Sequence, residues 1–284
     1  MRARLGCVAF VLALAAPGGA QQRVTVEESA LVRINAGWFA RGLHPMQIAE
    51  AVMFCRNTSP ASRDAFVCHE SRFASETPRR RIFLSPYYID RFEVTRERYG
   101  ECVGVGGCLP ARSGNGDERF SQPAMPVTGV TWDDARNFCR WAGGELPTES
   151  QWERAARGSG GRRFPWGSLF NDRLANHGSG ARLIDGFEFV APVGSYVEGR
   201  SPDGLYDMAG NVWEWTLDAF DPEREAWAGE VPVDPRGADS SGHRIIRGGS
   251  WRSQAVDLRT TTRIPVGEQR HSPDLGFRCV FDAL

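Results

Sequence analysis

The segment Gly204–Thr216 reads GLYDMAGNVWEWT and is taken together with RGGSW at Arg247–Trp251 and LGFRC at Leu275–Cys279. In the first of these, Asp207 and Glu214 bracket Gly210 and Val212 on a glycine-containing loop. A hard cation needs several oxygens, and carboxylates interleaved with free backbone carbonyls supply them. The bland alternative is a set of turn-forming residues with no ion. Trp213 and Trp215 alternate around Glu214, so at least one indole is expected to fill the core rather than to offer a stacking platform.

Outward from this segment, the chain from Gly158 to the C-terminus is dominated by glycine, proline, asparagine and tryptophan. Its strands, such as His243–Arg247 and Gly276–Phe281, are expected to be short, so disulfides, buried indoles and bound ions must carry much of the fold. Upstream, helices are clearer. Thr131 heads WDDARNFCRWA with Asp134 three residues on, a side-chain cap and a carboxylate at the positive helix end. Ala135, Phe138, Cys139 and Ala142 then share one face, and Gly143–Gly144 end the helix. Thr148 with Gln151 makes a capping box for a second helix that Gly158 closes. Thr95 caps a third, running through Cys102 to the GVGG turn before Cys108. Leu31–Ala40 and Arg81–Asp90 are each read as one strand, with an insertion carrying Cys55 and Cys68 between them. Trp38, Trp132, Trp141, Trp152 and Trp251 are core candidates.

The 284 residues, 41% of them hydrophobic, can bury a substantial core, and no second-domain boundary or tandem repeat is visible. A net charge of -1 gives no footprint for nucleic acid. The run Arg79–Arg81 is read as a solvated strand entry. All 34 basic residues are arginines, which excludes Schiff-base and phosphate-loop lysine chemistry. Residues 1–20 have the layout of a secretory signal peptide, with Arg2 and Arg4, an apolar run from Val8 to Ala16 and a cut after Ala20. The mature chain, residues 21–284 with a core of about 31–280, is expected to be secreted or periplasmic. No segment is apolar enough to span a bilayer.

Setting Cys7 aside with the signal leaves Cys55, Cys68, Cys102, Cys108, Cys139 and Cys279, an even set that argues for disulfides in an exported chain. Sequence alone does not settle the pairing. Proximity favours Cys55 with Cys68 and Cys102 with Cys108, leaving Cys139 with Cys279. His44, His69, His177, His243 and His271 are scattered without ligand spacing, and no Gly-x-Ser-x-Gly elbow occurs. Asp257 is expected to be salt-bridged structure rather than an acid or base.

The three quoted segments resemble the formylglycine-generating enzyme family, or sulfatase-modifying factors. The resemblance implies an α+β fold related to the C-type lectins, low in regular secondary structure and braced by disulfides and calcium. It also implies two calcium sites. One would use Asp207, the Gly210 and Val212 carbonyls and Glu214; the other would use Asn176, the His177 carbonyl, Asp185 and the Phe187 carbonyl. The sugar-binding tripeptides of calcium-dependent lectins are absent.

In the catalytic members two cysteines after the Gly-Gly-Ser turn bind copper. Here GGSWRSQAVDLRTTTR puts Ser253 and Leu258 at those places, while Trp213 and Ser250 match the walls of the oxygen pocket. Arg247, Arg263 and Arg278 resemble framework arginines found across the family. Copper(I) needs soft ligands, and a hydroxyl with an isobutyl group does not replace two thiolates. Copper is therefore not expected. The first expectation is a non-catalytic binding or assembly module for an unknown protein, peptide or small molecule. Behind it stand an oxidoreductase with a cysteine-independent mechanism, since some members without the pair are linked to oxidative chemistry, and last formylglycine generation on sulfatase-type peptides.

Overall fold

A computed structural model describes residues 30–58, 68–112, 117–178, 186–220, 232–237 and 242–283. Residues 1–20, expected to be a signal peptide, together with Cys7 and Asp185, lie outside these residues. Five helices and nine strands occur among them: β1 Leu31–Ile34, β2 Gly37–Arg41, α1 Met46–Thr58, β3 Arg80–Leu84, β4 Tyr87–Asp90, α2 Arg96–Gly104, α3 Glu118–Ser121, α4 Trp132–Trp141, α5 Glu149–Arg157, β5 Trp213–Ala219, β6 His243–Arg247, β7 Arg263–Gly267, β8 Leu275–Gly276 and β9 Val280–Asp282. The strands form three small sheets, ordered β1-β4-β9, β2-β3 and β7-β6-β5-β8, with long irregular segments between.

The two strands expected near the N-terminus are each split. Asn35–Ala36 and Ser85–Pro86 break them, so β1 pairs with β4 in one sheet while β2 pairs with β3 in another. Both expected strands turn at the same level, and the antiparallel register runs Ile34 to Tyr87 on one side and Gly37 to Leu84 on the other. The expected strand at Gly276–Phe281 is also two short pieces, β8 beside β5 and β9 beside β4. The insertion holds α1, whose Ala51, Val52 and Cys55 pack inward.

The helices follow their caps. Thr131 accepts from the Asp134 N–H and Thr148 from the Gln151 N–H, and both capping boxes are closed by the reciprocal side-chain bond. Gly158, at φ +65, ends α5 in a backbone state that other residues resist. In α4, Trp132, Ala135, Phe138 and Cys139 face the main core with Trp213, Trp215, Leu275 and Phe277. A second core joins β1, β3 and β4 to Trp152, Ala155 and Ala156 of α5. Trp132 and Trp152 are core residues as expected, and Trp141 and Trp251 are half-buried. Trp38 is not core: it is 43% exposed, stacked edge-on to Phe83 with the Arg81 guanidinium over its ring.

The three disulfides are Cys55–Cys68, Cys102–Cys108 and Cys139–Cys279, so proximity named the right partners. The last ties α4 to the segment between β8 and β9.

Candidate functional site

The Gly204–Thr216 segment, the Gly-Gly-Ser turn and the Asn176 loop are sewn into one unit by backbone hydrogen bonds. Gly210 N–H donates to the Gly248 carbonyl, Asn211 N–H to the Asn176 carbonyl, Trp251 N–H to the Asn211 carbonyl and Gly178 N–H to the Ser253 carbonyl. Gly210 is required here: its φ is +84, and a Cβ would lie 2.2 Å from the Asn176 carbonyl oxygen.

Asn211 is the hub, and nothing in its residue type announced it. At φ +60 it sits in the left-handed region that asparagine tolerates. Its Oδ1 accepts from Ala191 N–H and from Asn176 Nδ2, and its Nδ2 donates to Glu93 Oε2 at 2.6 Å. Glu93, also unannounced, accepts from Val212 N–H through Oε1. The only sequence signal for Asn211 was its place after Gly210 in a turn.

Asp207, Glu214 and Glu93 are all buried around this hub. Glu214 is held by the Arg278 fork, Nε to Oε2 at 2.7 Å and Nη2 to Oε1 at 2.8 Å, and accepts from Trp152 Nε1 at 2.9 Å. The remaining Arg278 donors reach the carbonyls of Asp90, Arg91 and Tyr206. Asp207 Oδ2 accepts from Gly194 N–H. Burial pushes the Glu93 carboxyl well above the ordinary range, and Asp207 and Glu214 add to the rise. Burial likewise pushes Asp207 up to about 6, against the pull of the Gly194 N–H and Arg278. The hub thus carries more buried carboxylate than Arg278 alone neutralises.

Of the second predicted ligand set, Asn176 is buried, and its Nδ2 also donates to the Phe189 carbonyl. Its Oδ1 is buried without a hydrogen-bond partner among the described residues. His177 and Phe187 are half-buried. Among the described residues no three His, Cys, Asp or Glu side chains converge in metal-holding geometry.

At the turn itself Ser250 is fully buried. Its N–H donates to Ser253 Oγ at 2.9 Å, the two hydroxyls lie 3.3 Å apart, and Ser250 Oγ donates to Asp274 Oδ2 at 3.2 Å. Asp274, unremarked in the sequence although it directly precedes LGFRC, also accepts from Ser272 and takes the Trp213 N–H on its carbonyl. Leu258 is fully buried among Phe164, Ala175 and Ala209. A Cβ on Gly249 would lie 2.6 Å from Leu258 Cδ2, so the isobutyl group is seated against the turn. Every described cysteine is in a disulfide. Ser253 and Leu258, where the resemblance implies copper ligands, are thus a hydrogen-bonded hydroxyl and a packed hydrocarbon, neither of them a soft donor.

The framework arginines are structural. Arg247 is fully buried and pairs with Glu153 at 2.5 Å while donating to the carbonyls of Thr260, Thr261 and Thr262. Arg263 forks onto Glu149. Asp257 pairs with Arg72, as expected of structure.

The chain matches the family model described as a sulfatase-modifying factor enzyme 1-like domain over residues 18–283. It is 36% identical over 185 residues to the inactive C-alpha-formylglycine-generating enzyme 2 of Bos taurus, covering 61% of this chain and 55% of that protein. It is 38% identical over 177 residues to the formylglycine-generating enzyme of Streptomyces coelicolor, covering 57% and 54%. These matches span little more than half the length of either relative. An active and an inactive relative are about equally similar, so overall likeness does not decide activity. Among solved structures, PvdO from Pseudomonas aeruginosa superposes with a TM-score of 0.67 at 22% identity, over 88% of this chain and 93% of that one. CarF does so with a TM-score of 0.57 at 18% identity, over 89% and 98%. With its mixed α and β elements, sparse regular structure and three disulfides, the chain belongs to the sulfatase-modifying factor enzyme 1-like family.

Proposed function

We propose that this chain is an exported, non-catalytic member of its family that uses the rigid scaffold as a binding or assembly module. The observation that carries this reading is the turn: Ser253 is tied to Ser250, and Leu258 fills the space beside Gly249. A copper(I) site needs thiolates, and no described cysteine is free to supply one. The name of the inactive relative is consistent with it. The pocket walls Trp213 and Ser250 remain, but both have structural work to do. The indole lies in the main core, and the hydroxyl bonds Asp274.

Calcium is the proposed brace. The unpaired Asn176 Oδ1 is an oxygen that a hard cation would satisfy, with the His177 and Phe187 carbonyls and Asp185 completing the set. At the hub, a cation held by Asp207, the Gly210 and Val212 carbonyls and Glu214 would offset the crowded carboxylates, although Glu214 would share its oxygens with Arg278 and Trp152. Bound calcium supplies rigidity here, not chemistry.

The test is oxygen consumption by the purified protein with a sulfatase-type Cys-x-Pro-x-Arg peptide and added copper. The proposal expects no peptide-dependent uptake. Sustained turnover would refute it. Export is checked separately by the N-terminus of the mature protein, expected at Gln21.

A further inference from the structure

A cleft away from the Gly-Gly-Ser turn opens where the β2-β3 pair meets the start of α5 and the end of β5. It measures about 740 Å3 counted out to its open mouth, open solvent included. Arg41, Arg80, Arg236 and Arg263 line it with Glu76, Glu149, Glu153 and Asp218, and Arg247, Arg157 and Arg259 lie directly behind.

The acids in this wall have their partners. Glu149 takes the Arg263 fork and Arg41, Glu153 takes Arg157, Arg247 and the Gly42 N–H, and Glu76 takes Arg259 and Thr261. Asp218 accepts from the Glu149 and Gly237 N–H groups, each at 2.5 Å. The guanidinium side is less committed. Arg41 spends only Nη2, on Glu149, and its side chain is 23% exposed. Arg236 is exposed on the rim and makes no ion pair among the described residues. Four guanidinium groups and four carboxylates line the cleft; the carboxylates have their partners, and donors remain on Arg41 and Arg236.

We propose that this cleft binds a small organic carboxylate, its two oxygens received by Arg41 and Arg236. A planar guanidinium fork matches a planar carboxylate. Glu149 and Asp218 in the lining disfavour a dianion such as phosphate, which would place a second negative charge close to theirs. The Arg247–Glu149–Glu153 cluster lies between this cleft and the Gly-Gly-Ser turn.

Thermal-shift and calorimetric titrations with sodium acetate, lactate, propionate and inorganic phosphate, against sodium chloride at matched ionic strength, test the proposal. At least one carboxylate should bind saturably and raise Tm beyond chloride. Arg236→Gln, on an exposed side chain, should weaken it about tenfold or more, as should Arg41→Gln. Ser253→Ala should leave it unchanged. Saturation by no carboxylate, unchanged affinity in Arg236→Gln, or tighter binding of phosphate than of any carboxylate would each overturn the proposal.

Discussion

Replacing both Cys139 and Cys279 by alanine should be the most costly disulfide removal in the molecule. The bond closes a separation of 140 residues, against 13 for Cys55–Cys68 and 6 for Cys102–Cys108. Neither shorter loop lies inside the long one, so the three closures act on separate parts of the unfolded chain. In the chain-entropy model, stabilisation grows with the logarithm of loop length and comes to about 5, 3 and 2 kcal/mol at 25 °C respectively. The long bond also sits in the main core, where both sulfurs are fully buried, so its removal costs packing as well. Against the ~5–15 kcal/mol total of an ordinary domain, such a loss leaves the protein marginal. Urea unfolding followed by tryptophan fluorescence measures it. The double variant should lose about 5 kcal/mol with a larger m, because its unfolded chain exposes more surface. A loss below about 2 kcal/mol, or a larger loss from the Cys102/Cys108 variant, would refute the reasoning.

Burial raises the Glu149 carboxyl, but Arg263, then Arg41 and Arg247, outweigh it and hold it at about 2. Because the folded value is depressed, the stability it contributes, about 3 kcal/mol, is present above the unfolded value and lost as pH falls from about 5 towards 2. Acid titration of the wild type against Glu149→Gln should show that the variant lacks this component, and parallel curves would contradict it. Trp152→Ala should cost about 3–5 kcal/mol by chemical denaturation and Trp38→Ala under about 1, and equal losses would mean the burial assignment is wrong. EGTA should lower Tm reversibly, and Asn176→Ala should remove part of that sensitivity; a Tm indifferent to chelator would sink the calcium brace.

The residues that announced themselves were those whose local physics is self-contained. The capping boxes at Thr131 and Thr148 and the stop at Gly158 are short-range devices, and they set α4 and α5 within a residue. The cysteines paired by proximity because two loops are short and one pair was left. What was hidden depends on distant partners. The strand read at Leu31–Ala40 is split between β1 and β2 by which strands arrive to pair, at Asn35–Ala36, a break the reading passed over. Trp38 reads like any core indole, yet its neighbours are Phe83 and Arg81 on the paired strand β3, and it is left exposed. Asn211, Glu93 and Asp274 look like ordinary polar loop residues. Their importance comes from hydrogen bonds to partners far away in the chain, Asn211 to Glu93 and Asp274 to Ser250 and Trp213. At the turn, the resemblance implied that Ser253 and Leu258 stand where thiols would, and the packing shows the first hydrogen-bonded to Ser250 and the second seated against Gly249.

The most direct test of the central claim is a copper(I) titration of the purified, disulfide-intact protein against a competing chromogenic chelator under anaerobic conditions. The account predicts that the wild type takes no copper from the chelator, whereas a Ser253→Cys/Leu258→Cys double variant, with soft donors restored beside Ser250, does. Stoichiometric, tight copper(I) binding by the wild type, lost on Ser250→Ala, would contradict it.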